Sequence, residues 1–597
     1  MENSERWYFH WADWLVFGTM LSFSAGAGIW HFKKASQSTT LEYLLGRTSL
    51  NVFTVSASLI ASFISGVTIL GTPAEIYNYG TQYWITIISL LLCGIIVTCV
   101  YLPVFMTLRL NSCYEYLELR FSRSVRLLIS LIFVVDVVLY QSIVVYVPAL
   151  ALNQVTGINV YLIGGIVCLV CVFYTVLGGI RAVVWTDAFQ VGIMIAAVLT
   201  VTSLGTYEVG GPSEVWKKAL EAKRIQFLNF DPSPYTRHTV WSVLIGSCLY
   251  STSYIAVNQT IVQRYSSLPT MKVSKIAIGI FTIGIMLFIS LTCWCGLVLL
   301  TWWSPPKCDP RASKLIERDD QMLPAYVMQI AGHLYGIPGL FTAGIFSAAL
   351  STLSVGLNST SVVLLEDFVK GYFRMKPNDR VSTIFVKTVV IFLGLFAMGF
   401  LFVIEKLGGV LAVTGSLSAI AAGTSFGVFT LGMLVPWANS KGALVGAIAG
   451  FLISGWSSLG ANAMIGTGAV IPKKLPVDFS YCSGNVSQSF INQFPVDHNE
   501  DDVFPLYRLS YHWFTGLGTI TVLIVGVIVT WITGPEDIIN VNRDLLSPVI
   551  HRFLPDQKNN FEMGKWQQRS NVDINTQTTN FLNDRPQITA PLNETLS

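Results

Sequence analysis

The sequence predicts an all-α polytopic membrane protein, and three observations lead there. Of 597 residues, 52 % are hydrophobic and 12 % charged, half the roughly 25 % charge of a soluble chain. Apolar blocks of about 20 residues or more recur along most of the chain, each long enough to cross a hydrocarbon core about 30 Å thick. The Lys and Arg residues of the short loops between the blocks fall almost entirely on one side. A soluble enzyme, a nucleic-acid binder and a secreted disulfide scaffold are excluded on these grounds. The net charge of +3 is a small difference between 37 basic and 34 acidic residues, so it says nothing about partners.

Apolar windows bounded by charge and Pro/Gly breaks give thirteen helices: 10–32, 52–77, 81–108, 125–152, 158–177, 181–206, 239–264, 274–302, 338–371, 381–403, 408–435, 440–463 and 511–534. The opening block reads as a span and not a signal peptide, because its flank carries Glu2, Glu5 and Arg6 and no small-residue cleavage site follows. Orientation follows from basic residues in short loops. With the N-terminus outside, seventeen of them, from Lys33 to Lys441 and including Arg120, Arg126 and Arg264, fall inside; only Arg6 and Lys406 fall outside. Thirteen spans then leave the C-terminus in the cytoplasm, and the long loops 207–238, 303–337 and 464–510 outside.

Eight of the ten cysteines lie in or beside apolar spans, where a small buried hydrophobe is the ordinary reading. Cys308 and Cys482 sit in outside loops, where a bridge is permitted but not required. Asn485, followed by Val486 and Ser487, is a glycosylation sequon in an outside loop. The transmembrane domain is expected over 1–534, and 535–597, rich in Asn, Gln and Thr, as a cytoplasmic and largely disordered tail.

Polar groups inside the spans carry the functional reading, because an unsatisfied one there costs several kcal/mol. Ser58, Ser62 and Ser65 form one helical stripe, followed by Gly66, Thr68, Gly71, Thr72 and Pro73. The segment reads equally as a helix that unwinds and frees carbonyls, or as a close-packed helix seam. Ser347, Ser351, Ser354 and Asn358 form a second stripe, with Thr352 beside Ser351. Two neutral, oxygen-rich stripes suit Na⁺, whereas Ca²⁺ and Mg²⁺ usually recruit carboxylates. Asp187 and Gln190 are neighbours in the span opened by Arg181, and an intramembrane carboxylate is either functional or paired with such a charge. Asp136 stands one turn before Tyr140, and 239–264 is dense in Tyr, Ser, Asn and Gln. No nucleotide-binding loop, HExxH motif or nucleophile elbow occurs, so neither an enzyme nor an ATP-driven pump is expected.

The segments GGIRAVVWTDAFQ (178–190), ASLIASFISGVTILGTPAEIYNYG (57–80), CYEYLELRFSRSVRLL (113–128), VNQTIVQRY (257–265) and the Ser351–Asn358 run together resemble the sodium/solute symporter family. The resemblance covers about residues 10–535 and is closest to the branch of multivitamin and monocarboxylate transporters. It implies a core of five plus five helices in inverted repeats, about 52–206 and 239–435, with binding where the first helix of each repeat is broken. It also implies a sodium site of Ala61, Ile64 and Ala348 carbonyls with Ser351 and Thr352 hydroxyls. A second sodium or coupling region falls on Ser62, Asp187, Gln190 and Gln259, and a substrate pocket on Ser65, Thr68 and Tyr140. Thr68 departs from the iodide pattern, and Asp136 stands where an uncharged residue is expected.

The expected function is sodium-coupled import of a small organic anion, a monocarboxylate or a carboxylated vitamin such as biotin or pantothenate, at the plasma membrane. Na⁺ is a co-transported ion, and no cofactor or other metal is implied. An inorganic anion, a neutral polyol or sugar, and a transport-inactive sensor of the same fold are the competing readings.

Overall fold

The computed structural model describes residues 9–34, 51–406, 410–477, 480–482 and 502–555. Asn485 and residues 556–597 lie outside that set. Contacts divide the chain into two units, Met1–Arg552 and Phe553–Ser597, and the first holds every helix long enough to cross a membrane. Among the described residues the secondary structure is helical, with no strand.

Eight helices are long and apolar enough to cross a membrane, and a bent pair, Val52–Phe63 with Gly66–Tyr79, makes a ninth. This criterion does not reach thirteen, for identifiable reasons. Spans 158–177 and 181–206 run together as Val160–Glu208, kinked at Gly179, whose φ of 58° a glycine adopts without Cβ strain. Span 239–264 is divided, giving Ser242–Val257 and Gln259–Tyr265. The helix Val410–Leu434 occupies span 408–435 but is counted only as the shorter apolar stretch Ser418–Leu434, and the first helix, Trp11–Lys34, is not among the eight.

The centre is the helix Ile337–Val363, in which every residue from Phe341 to Val363 is buried. A helix enclosed on all sides loses the amphipathic stripe of a peripheral one, which is why its serines can point inward in any direction. Asp13 of the first helix, Trp11–Lys34, fixes where this central helix starts. Its carboxylate accepts from the Gly336 and Gly339 amides at 3.0 and 2.9 Å, supplying a negative group to helix-end donors that have no partner within the helix.

The loops carrying Cys308 and Cys482 are joined by a disulfide between these two residues. Beneath it, Tyr77 donates to Asp309 at 2.7 Å, and Leu475 donates its amide to the Asn78 carbonyl at 2.9 Å. The end of the broken helix is thereby tied to both loops.

On the opposite side, the segment after residue 534 departs from the expected disordered tail. Residues 535–553 contain three short 3₁₀ turns. Arg120 pairs with Glu536 at 2.8 Å, Tyr116 donates to the Leu545 carbonyl at 3.0 Å, and the Ser547 amide bonds Met433. Leu545 and Leu546 are buried. Polar composition hid two apolar anchors and an ion pair, which suffice to dock a short strap.

Candidate functional site

The break in the first of the paired helices lies at Ile64 (φ −80°, ψ 114°) and Ser65 (φ −103°, ψ 166°), with a bend of 59°. It precedes Gly66; Gly71, Thr72 and Pro73 stay helical. Extended geometry at these two residues removes the amide donors that a continuous helix would offer to Ala61 and its neighbours. The Ser65 amide turns to the Thr68 hydroxyl, and the Thr68 amide to Ser65 Oγ at 3.3 Å, a reciprocal capping box that starts the second half. Gly66 is required by proximity: a Cβ there would lie 2.9 Å from Pro148 Cγ.

A second break falls at Asn258 (φ −86°, ψ 127°), where the side-chain oxygen accepts from the Thr260 amide at 3.0 Å. The two interrupted helices are therefore built alike, each restarted by a polar cap.

Ala61, Ile64, Ala348, Ser351 and Thr352 are all buried, and the central helix packs against Val52–Phe63. Thr352 Oγ1 donates to the Ala348 carbonyl at 2.9 Å, which leaves its lone pairs available. Ser351 Oγ, buried and short of full hydrogen-bond geometry, lies next to the Asp187 carboxylate, and Ser347 Oγ is buried without a hydrogen-bond partner. A hydroxyl in that condition costs about 1–3 kcal/mol unless something binds it. An oxygen-seeking cation of single charge fits such a set of carbonyls and hydroxyls.

The region that the resemblance assigns to a second cation is organised differently. Asp187 is fully buried and paired with Arg264 at 2.9 Å, and Ser58 Oγ donates to the same carboxylate oxygen at 2.7 Å. Arg264 also donates to the Ser58 carbonyl at 3.0 Å and to Ser62 Oγ. Of the four residues grouped there, only Ser62 and Asp187 share a partner, Arg264, whose guanidinium neutralises the carboxylate. Gln190 donates to Ser24 at 3.3 Å, and Gln259 bonds the Cys113 amide and the Asn111 carbonyl at 2.8 and 3.1 Å. The alternative partner for Asp187, Arg181, is replaced by Arg264. Basic-residue counting groups Arg264 with the loop charges, although it ends the most polar span; that density is the available signal. Arg126 falls in the same group and is buried against Asp367, which also accepts from Ser112 at 2.7 Å and Ser130 at 3.0 Å.

Of the expected pocket residues, Ser65 and Thr68 are hydrogen-bonded to each other at the break, and Tyr140 faces Ser65 from Arg123–Thr156. The site thus unites five helical segments: both halves of the broken helix, the central helix, and the helices bearing Tyr140 and Asp187.

Known proteins place this architecture. The chain is 38% identical over 541 residues to sodium-coupled monocarboxylate transporter 1 of Mus musculus, covering 87% of each. It is 35% identical over 557 residues to sodium-coupled monocarboxylate transporter 2 of the same organism, covering 93% of this chain and 88% of the relative. The fold matches a solved Na⁺-coupled sialic acid symporter with a TM-score of 0.71 at 24% identity, over 89% of this chain and 99% of that one. These relatives are transporters, not enzymes. The sodium:solute symporter family model matches residues 43–450, and the chain is a multi-pass membrane protein belonging to that family.

Proposed function

We propose that the chain imports a small carboxylate-bearing solute together with Na⁺ by alternating access, with the N-terminus outside and the C-terminus in the cytoplasm of a plasma-membrane protein. The observation that supports it most is the Ser351 hydroxyl, buried and short of full hydrogen-bond geometry beside the helix break at Ile64 and Ser65. Na⁺ held by the Ala61, Ile64 and Ala348 carbonyls and the Ser351 and Thr352 hydroxyls pins the first half-helix to the central helix. That contact sets the start of Gly66–Tyr79, whose positive dipole end faces the pocket of Ser65, Thr68 and Tyr140 and favours an anionic group. The repeats about 52–206 and 239–435 both begin with an interrupted helix, which gives the two halves matching hinges.

The driving force is adequate. One charge crossing about 60 mV yields roughly 1.4 kcal/mol, and a tenfold Na⁺ gradient yields about as much. Two ions moving one monovalent anion still favour uptake. The similarity to monocarboxylate transporters supports a small organic carboxylate over a sugar or an iodide-like ion. Uptake of labelled propionate and butyrate by cells expressing the chain tests the reading: uptake should require external Na⁺, and equal uptake with choline replacing Na⁺ would overturn it.

A further inference from the structure

Asp136 stands apart from the other acidic groups within the spans. Asp187 and Asp367 are each held by a guanidinium, Glu75 pairs with Arg237, and Asp13 accepts from two backbone amides at the start of the central helix. Asp136 accepts a neutral hydrogen bond from Ser418 Oγ at 2.7 Å. Among the described residues it forms no ion pair. It is half-buried, and a carboxylate at membrane depth turns its open side to a polar cavity, not to lipid. Tyr140 follows one turn later on the same helix and faces Ser65 at the break, and the Tyr254 hydroxyl reaches the Ser62 carbonyl at 3.5 Å.

We propose that Asp136, one helical turn from Tyr140 at the break, receives a protonated amine of the transported solute, so that a small amino carboxylate is taken in preference to a plain monocarboxylate. The inference rests on the reading of the helix break as the carboxylate and sodium end of the pocket. A carboxylate in low dielectric is stable when a cation or a proton neutralises it. An aromatic side chain such as Tyr140 next to a carboxylate suits an ammonium ion, through the negative face of the ring. Spacing agrees as well: Asp136 precedes Tyr140 by one helical turn, about 6 Å along the axis, and Tyr140 marks the level of Ser65. A solute with its carboxylate at Ser65 and Thr68 and its amine at Asp136 is an ω-amino acid with a short methylene chain.

The test uses matched pairs differing only in the amine: butyrate with 4-aminobutyrate, and hexanoate with 6-aminohexanoate. Binding to the purified full-length chain is read by thermal stabilisation in Na⁺ and in K⁺. The amino acid of at least one pair should bind about tenfold or more tightly than its plain acid, the usual scale for a hydrogen bond to a charged group. Asp136→Asn should erase that preference and Asp136→Glu should keep most of it. If Asp136→Asn fails to fold, the wild-type pairs and Asp136→Glu still decide. Equal or tighter binding of the plain acids overturns the inference, and Na⁺-dependence of that binding would leave the symport reading standing. Binding of all four that ignores Na⁺, or no binding at all, removes both.

Discussion

Removing Arg264 is expected to be more damaging than removing any other basic residue that the sequence places near a membrane face. Its side chain is 2% exposed and that of Asp187 is 0% exposed. The guanidinium satisfies Asp187, the Ser58 carbonyl and Ser62 Oγ together. In Arg264→Gln, Asp187 keeps only the Ser58 hydroxyl, because its other oxygen already lacks a partner. Breaking a buried pair by deleting one member costs about 3–5 kcal/mol. Asp187→Asn should cost a similar amount by stranding the guanidinium. The double variant should cost well under the sum, since neither charge is then left alone. Denaturant titration of the purified chain in lipid nanodiscs measures all three. Sodium titration of uptake adds a functional reading, because Ser58 and Ser62 belong to the half-helix that ends at the break, and apparent Na⁺ affinity should fall with stability in each single variant. Additive losses in the double variant, or a cost under about 1 kcal/mol for Asp187→Asn, would refute the reasoning.

Three further outcomes are expected. Ser351→Ala combined with Thr352→Ala should weaken Na⁺ activation of uptake by about tenfold or more, at roughly 1 kcal/mol per lost neutral contact; an unchanged Na⁺ titration would remove both hydroxyls from the site. Cys308→Ser or Cys482→Ser should lower stability by about 2–4 kcal/mol, and reductant should bring the wild type down to the same level; a variant as stable as the wild type would show that the hydrogen bonds of the outer loops suffice without the bridge. His238 is held below the ordinary histidine value, first by burial and then by the neighbouring Arg237, with Glu75 opposing. Its neutral form belongs to the folded state, so its contribution is complete above about pH 6.5 and is lost as pH falls through the lower folded value. Thermal stability should drop as pH falls from about 6.5 toward that lower value, and His238→Gln should flatten that slope; identical slopes would assign the effect to other groups.

Much of this protein is written in local pattern. Runs of apolar residues specify helices by length alone, and Ser351 and Thr352 are legible as a candidate site because they belong to a stripe of hydroxyls and an amide on a helix that has to be buried. Composition also limits the possible cation, since the neighbouring stripes offer neutral oxygens. Partner choice is another matter. Arg264 and Asp187 are 77 positions apart, and nothing in either segment says which charge the other will meet; only packing decides that, because burying one charge forces it onto whichever opposite charge the fold brings close. The same holds for Arg126 with Asp367 and for the strap that Arg120 holds. The location of the break at Ile64–Ser65 and not at Gly71–Pro73 is likewise tertiary: Pro148 presses on Gly66, and Ser65 and Thr68 cap each other where the chain turns. The sequence by itself determined the membrane class, the family and the oxygen-rich stripes, since these depend on what each segment is; the structure decided which charges are spent on one another and which, like Asp136, are not, since that depends on what each segment touches.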